Sequence, residues 1–148
     1  MALKPIIYIE DDLDDLALFL RLLERNRVLN PPFTWATGTE LLDYLFGHGK
    51  FAPIGPQDLP LFILLDIGLP DQSGLEVLAK IRRGKRTQDV PVVMVTGQRE
   101  GSDMLAAASR NLEAQAFMTK PITWPGLVEV LRALGLGLEI APDTREAV

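Results

Sequence analysis

The stretch Ile6-Ile7-Tyr8-Ile9-Glu10-Asp11-Asp12-Leu13-Asp14-Asp15-Leu16 decides how the rest of the chain is read. Its first four residues are branched or aromatic and wholly apolar, which predicts a short buried strand over residues 6–9. Five acids then fall in six positions, Glu10 to Asp15, where the apolar pattern changes period. From there Leu13, Leu16, Ala17, Leu20 and Leu23 recur at helical spacing, predicting a helix over residues 13–27. A strand that ends in acids and passes straight into a helix opens an alternating α/β chain.

Working outward, residues 33–36, 61–65, 92–95 and 116–118 have the same strand character. Helical spacing returns at 40–46, 74–83, 101–111 and 125–134. Thr37 with Glu40 and Ser73 with Glu76 have capping-box spacing, while Gly84 and Gly135 follow helix ends. The apolar runs at 61–65 and 92–95 suit strands covered on both faces, so the alternation predicts a doubly wound parallel sheet with helices on both faces. Residues 47–60 hold three prolines and three glycines and predict a long surface loop.

Composition bounds the function. The chain has 148 residues, enough for one domain, with 47% hydrophobic and 24% charged residues, as in soluble globular proteins. Twenty acids against fifteen bases leave a net charge of -5, which argues against a nucleic-acid partner. The absence of cysteine excludes disulfides, thiolate nucleophiles and thiolate metal sites, and a single histidine, His48, leaves no histidine-rich site. The N-terminal apolar run is too short for a signal peptide or a membrane span, so a cytoplasmic protein without membrane contact is expected.

In an open parallel sheet, ligands bind beyond the carboxyl ends of the strands. The residues there are Glu10, Asp11 and Asp12, then Asp66, then Thr96 and Gly97, then Thr119, Lys120 and Pro121. Hard oxygen ligands without histidine or cysteine suit Mg2+. A carboxylate held by a divalent cation and a lysine is equipped to accept a phosphoryl group. Taken singly, Asp66 reads as a turn residue, Lys120 as a surface charge, Thr96 as a cap, and Asp12, Asp14 and Asp15 as cap and helix-dipole acids. The combination points to an aspartyl phosphate.

Four segments carry a family resemblance: Ile9-Glu10-Asp11-Asp12, Leu65-Asp66-Ile67-Gly68-Leu69-Pro70-Asp71-Gln72-Ser73-Gly74, Val95-Thr96-Gly97 and Phe117-Met118-Thr119-Lys120-Pro121. In this order they resemble the receiver domains of two-component response regulators. The resemblance implies a flavodoxin-like sheet of order 2-1-3-4-5 and phosphorylation of Asp66 by a sensor histidine kinase. It implies that Glu10 and Asp11 form the acidic pair, with Asp11, Asp66 and the Gly68 carbonyl on Mg2+. Lys120 would pair with the phosphoryl group, before a cis bond to Pro121. Thr96 and Phe117 would form the switch that carries phosphorylation to a protein-binding face. Such a protein catalyses only its own phosphorylation and dephosphorylation.

The chain departs from the common pattern at Glu113-Ala114, where many receivers have Gly-Ala, and at the small residues Gly68 and Gly97, which leave water a path to the acyl phosphate. A receiver over residues 1–135 with an extension over 136–148 and no output domain is expected, so output would be binding, relay or a phosphate sink. Leucines 134, 136 and 138 suggest a homodimer contact. Loop length and tail resemble the small receivers that pair with bacterial phytochrome kinases. Of the other functions, a magnesium-dependent phosphatase of the haloacid dehalogenase type would need a second acid within Asp66-Ile67-Gly68. A nucleotide site would need a glycine-rich loop where the acids stand. A scaffold receiver would not need the phosphorylation residues.

Overall fold

In the computed structural model, which describes residues 3–97 and 114–143, strand β1 (Ile6–Ile9) is buried along its whole length and so lies inside a sheet. It pairs in parallel with β2 (Pro32–Trp35) on one side and β3 (Phe62–Asp66) on the other. Strands β4 (Val92–Thr96) and β5 (Ala116–Thr119) follow in parallel, giving the order β2-β1-β3-β4-β5. This is the flavodoxin-like sheet expected. Pro32, with no N–H to donate, opens an edge strand, where the missing bond costs least.

Alternation along the strands divides the core in two. Ile7, Ile9, Ile63, Leu65, Val92 and Met94 face helices α2 (Gly38–Phe46) and α3 (Gly74–Arg83). Ile6, Tyr8, Phe62, Leu64, Val93 and Val95 face α1 (Leu13–Arg25) and α4 (Trp124–Ala133). The helix expected at 101–111, and Glu113, lie outside the described residues.

Helix α1 differs from its sequence reading in two ways. It stops at Arg25 instead of Arg27, because Asn26 caps it and Arg27 takes a left-handed backbone with φ 56°. Val28 N–H then bonds the Leu23 carbonyl at 3.0 Å and Arg27 N–H the Glu24 carbonyl at 3.1 Å, the pairing of a Schellman ending made without glycine. Its core-facing stripe is Phe19 and Leu23, both buried, with Leu16 half-buried beside them, while Leu13 is 78% and Leu18 56% exposed. Leucines on nearly every side of this helix made the face ambiguous in one dimension.

Residues 47–60 form the expected loop, with a short 3-10 turn at Pro56–Asp58. Phe51, Ile54 and Leu59 fold back onto the α2/α3 core, and Phe51 closes an edge-to-face aromatic group with Trp35 and Tyr44. After α4, residues 136–143 turn back over the end of α1. Leu29 N–H bonds the Glu139 carbonyl at 2.7 Å, Ala141 N–H the Arg27 carbonyl at 2.8 Å, and Glu139 N–H the Asn30 side chain at 2.7 Å. Leu134, Leu136 and Leu138, exposed-looking in sequence, are therefore half-buried against their own chain. Among the described residues no helix is long and apolar enough to cross a membrane.

Candidate functional site

Because the strands are parallel, their carboxyl ends share one rim. There a polar cleft of about 530 Å³ is lined by Glu10, Asp11, Asp15, Asp66, Gly68, Thr96, Gly97 and Lys120. Each side chain arrives by a separate device. Asp66 is the last residue of β3 and 6% exposed, its Oδ1 accepting the Gly68 N–H at 2.8 Å. The turn that follows closes tightly: Gly74 N–H bonds the Ile67 carbonyl at 2.9 Å, and a Cβ on Gly74 would stand 2.3 Å from the Asp66 carbonyl oxygen. Only glycine lets α3 start so close to the strand it follows.

Glu10 is more deeply set, at 2% exposed. It accepts from the Tyr8 hydroxyl at 3.0 Å and from the Asp12 N–H at 3.1 Å. Asp12 caps α1 through the N–H groups of Asp14 and Asp15. Lys120, just past β5, is fixed by its N–H on the Thr96 carbonyl at 2.8 Å and is followed by a cis bond to Pro121. Its ammonium meets Asp66 Oδ2 at 2.7 Å, Asp15 Oδ2 at 3.2 Å and Glu10 Oε1.

Charge is unbalanced here. Among the described residues five carboxylates, Glu10, Asp11, Asp12, Asp15 and Asp66, line the cleft with one ammonium. Burial raises the Asp66 pKa, Lys120 and the Gly68 N–H pull it down, and the Glu10 charge opposes them, leaving it above the usual carboxylate range. Burial also raises Glu10, but Lys120, the Asp12 N–H and Tyr8 outweigh it and hold Glu10 below that range. Burial lowers Lys120, yet its carboxylates more than restore it and keep it charged. Tyr8, buried and facing Glu10, stays neutral and donates.

Oxygens of Glu10, Asp11 and Asp66 lie within 4.8 Å of one another, a spacing that fits a hard divalent cation. Asp11 is exposed, leaving coordination sites to water. Thr96, 8% exposed at the end of β4, borders the cleft. Phe117 does not reach it: the ring is half-buried on β5 and packs toward the α2/α3 side.

Two roles escaped the sequence reading. Asp15, read as a helix-dipole acid, also grips Lys120; its place one turn beyond Asp11 was the available signal. Asp71, within the turn after Asp66, accepts from the N–H groups of Gly38 and Thr39 and from the Thr39 hydroxyl, so it caps α2 from another element.

With this geometry in hand, comparison with known proteins finds that residues 6–132 match the response regulator receiver domain. The chain belongs to that family. The bacteriophytochrome response regulator AtBRR is 34% identical, with a TM-score of 0.83 over 97% of this chain and all of that one. The probable methanogenesis regulatory protein FilR2 of Methanothrix harundinacea is 31% identical over 93% of this chain and 86% of its own. Response regulator Rcp1 of Synechocystis is 27% identical over 88% of this chain and 86% of its own. The Mn2+-bound form of Rcp1 has a TM-score of 0.71, over 95% of this receiver and 99% of that chain.

Proposed function

We propose that this receiver accepts a phosphoryl group on Asp66 from a sensor histidine kinase and signals through its own surface to protein partners. The observation that carries the reading is the Lys120 ammonium on Asp66 Oδ2 at 2.7 Å, beside an acidic pair able to hold a cation. In the transfer, an Asp66 oxygen attacks phosphorus and the bond from phosphorus to the kinase imidazole nitrogen breaks, the electron pair staying on that nitrogen. Hydrolysis returns the carboxylate and inorganic phosphate. Lys120 stabilises negative charge on the moving oxygens.

Asp11, Asp66 and the Gly68 carbonyl would hold Mg2+, with Glu10 supporting them. The ion supplies further neutralisation of the phosphoryl charge and a template for its approach. The Thr96 hydroxyl turns toward the acyl phosphate and Phe117 moves inward, so that phosphorylation biases the protein-binding face to which β5 contributes. The protein's chemistry is limited to gaining and losing this group.

Likeness to AtBRR favours a bacterial phytochrome as the kinase and the cytoplasm as the site of action. Leu13 and Leu18, exposed on α1, supply apolar area for a protein partner; Leu13 directly follows Asp12 at the cleft. An apolar groove of about 430 Å³ between α4 and the tail, lined by Trp124, Leu131, Leu136, Leu138 and Ile140, favours a homodimer through that face. The kinase reading is tested by adding the chain to a radiolabelled, autophosphorylated phytochrome kinase. Label should move to this chain and be absent from Asp66→Asn; label persisting in that variant would overturn the assignment.

A further inference from the structure

We propose that Asp15 is a positioning residue that competes for the Lys120 ammonium and so sets the rate at which Asp66 takes up a phosphoryl group. This deepens the reading of Asp66 as the phosphoacceptor and rests on it. A lysine ammonium has three N–H donors, and here three carboxylates occupy it: Glu10, Asp15 and Asp66. No donor is left for an incoming phosphoryl oxygen, so one contact must open.

The three contacts differ in how easily they part. Glu10 has a side chain only 1% exposed, and losing Lys120 would leave a buried carboxylate short of a counter-charge. Asp66 is the group that reacts, and Lys120 stays with it as the phosphoryl group arrives. Asp15 makes the longest contact, at 3.2 Å, with a side chain 32% exposed, so water can take the place of the ammonium. It also stands outside the trio Glu10, Asp11 and Asp66 that would hold the cation. Asp15 is therefore the partner released.

With acetyl phosphate as donor, an Asp66 oxygen bonds to phosphorus, the bond from phosphorus to the acetate oxygen breaks, and acetate leaves with the electron pair. The transferred oxygens take the N–H that Asp15 gives up.

Asp14 supplies the control. It lies in the same first turn of α1 and has the same charge, and Lys120 forms no ion pair with it. The test compares acyl phosphate formation in Mg2+ and acetyl phosphate for the wild type, Asp15→Asn, Asp14→Asn and Asp15→Glu. Asp15→Asn should react roughly twofold to fivefold faster than Asp14→Asn, the range for losing a partly exposed ion pair. Asp15→Glu, which keeps a carboxylate in reach, should stay near wild type. The NMR signal of the Lys120 ammonium should shift in Asp15→Asn and stay in place in Asp14→Asn, a readout that mere helix destabilisation does not move. Equal rates in Asp15→Asn and Asp14→Asn, or a slower Asp15→Asn, would overturn the competition while leaving Asp66 as acceptor. No adduct on the wild type would instead remove the phosphoacceptor reading and the competition with it.

Discussion

Replacing Asp71 with alanine should loosen the start of α2 in a way that pH reveals. Asp71 Oδ1 accepts from the Gly38 N–H at 3.0 Å, and Oδ2 from the Thr39 N–H at 2.9 Å and hydroxyl at 2.6 Å. Thr37 satisfies only the Glu40 N–H, at 3.2 Å, so alanine at 71 strips two helix-end donors of their carboxylate at once. Loss of a cap costs about 0.5–2 kcal/mol; the site is exposed and water can substitute, which places this one near 1 kcal/mol. For a chain this size that is about 2–4 °C in melting temperature, or about half a molar in urea midpoint.

The sign with pH follows from the carboxyl. Its small burial raises the pKa, but Thr39, Gly38 and Gln72 outweigh that and hold it well below the usual range. A group lowered by folding contributes fully above its unfolded pKa, about 3.9, and loses the contribution as pH falls toward the folded value. Urea melts of wild type and Asp71→Ala should therefore differ most at pH 6–7 and converge toward pH 3. A gap unchanged between pH 7 and pH 3, or absent at pH 7, would refute the capping role.

Other substitutions test neighbouring parts of the account. Gly74→Ala forces a Cβ against the Asp66 carbonyl at 2.3 Å and the Ile67 Cα at 2.9 Å, so it should cost about 1–3 kcal/mol in thermal melts and slow acyl phosphate formation. Wild-type stability and rate would contradict that close approach. Added Cβ atoms at Gly68 and Gly97 would meet only Asp66 Oδ1 at 3.9 Å and Lys120 Cδ at 3.7 Å, so these glycines leave the acceptor open to water. The phosphoform should be short-lived and last longer in Gly68→Met, whereas a wild-type half-life of many hours in Mg2+ buffer would count against it. Deleting residues 136–148 removes Leu136 and Leu138 from the α1/α4 core together with the tail's hydrogen bonds. That should cost about 2–3 kcal/mol in urea unfolding, and an unchanged midpoint would show that the tail packs without stabilising.

Most of the architecture was legible because the strands are mainly apolar and the acids, the hydroxyl and the lysine fall at or just past their carboxyl ends. Residues 6–9 and 74–83 have the predicted bounds, and the other described elements differ by one or two residues at their ends. What escaped depends on three dimensions. The face of α1 was misread because leucines occupy several sides, and burial selects Phe19 over Leu13 only once β1 and α4 are in place. The early stop at Arg25 rests on a left-handed arginine that no propensity anticipates. Glu10, Asp66 and Lys120 could be paired from their strand ends, whereas Asp15 and Asp71 look in sequence like ordinary acids of a helix start and a turn. Their partners lie 105 and 33 residues away.

The measurement that bears most directly on the central claim is intact mass after incubation with Mg2+ and acetyl phosphate. Wild-type protein should gain one phosphoryl group, Asp66→Asn should gain none, and chelation of the metal should abolish the gain. An adduct that survives Asp66→Asn, or a wild type that stays unmodified while Mg2+ is bound, would contradict Asp66 as the acceptor.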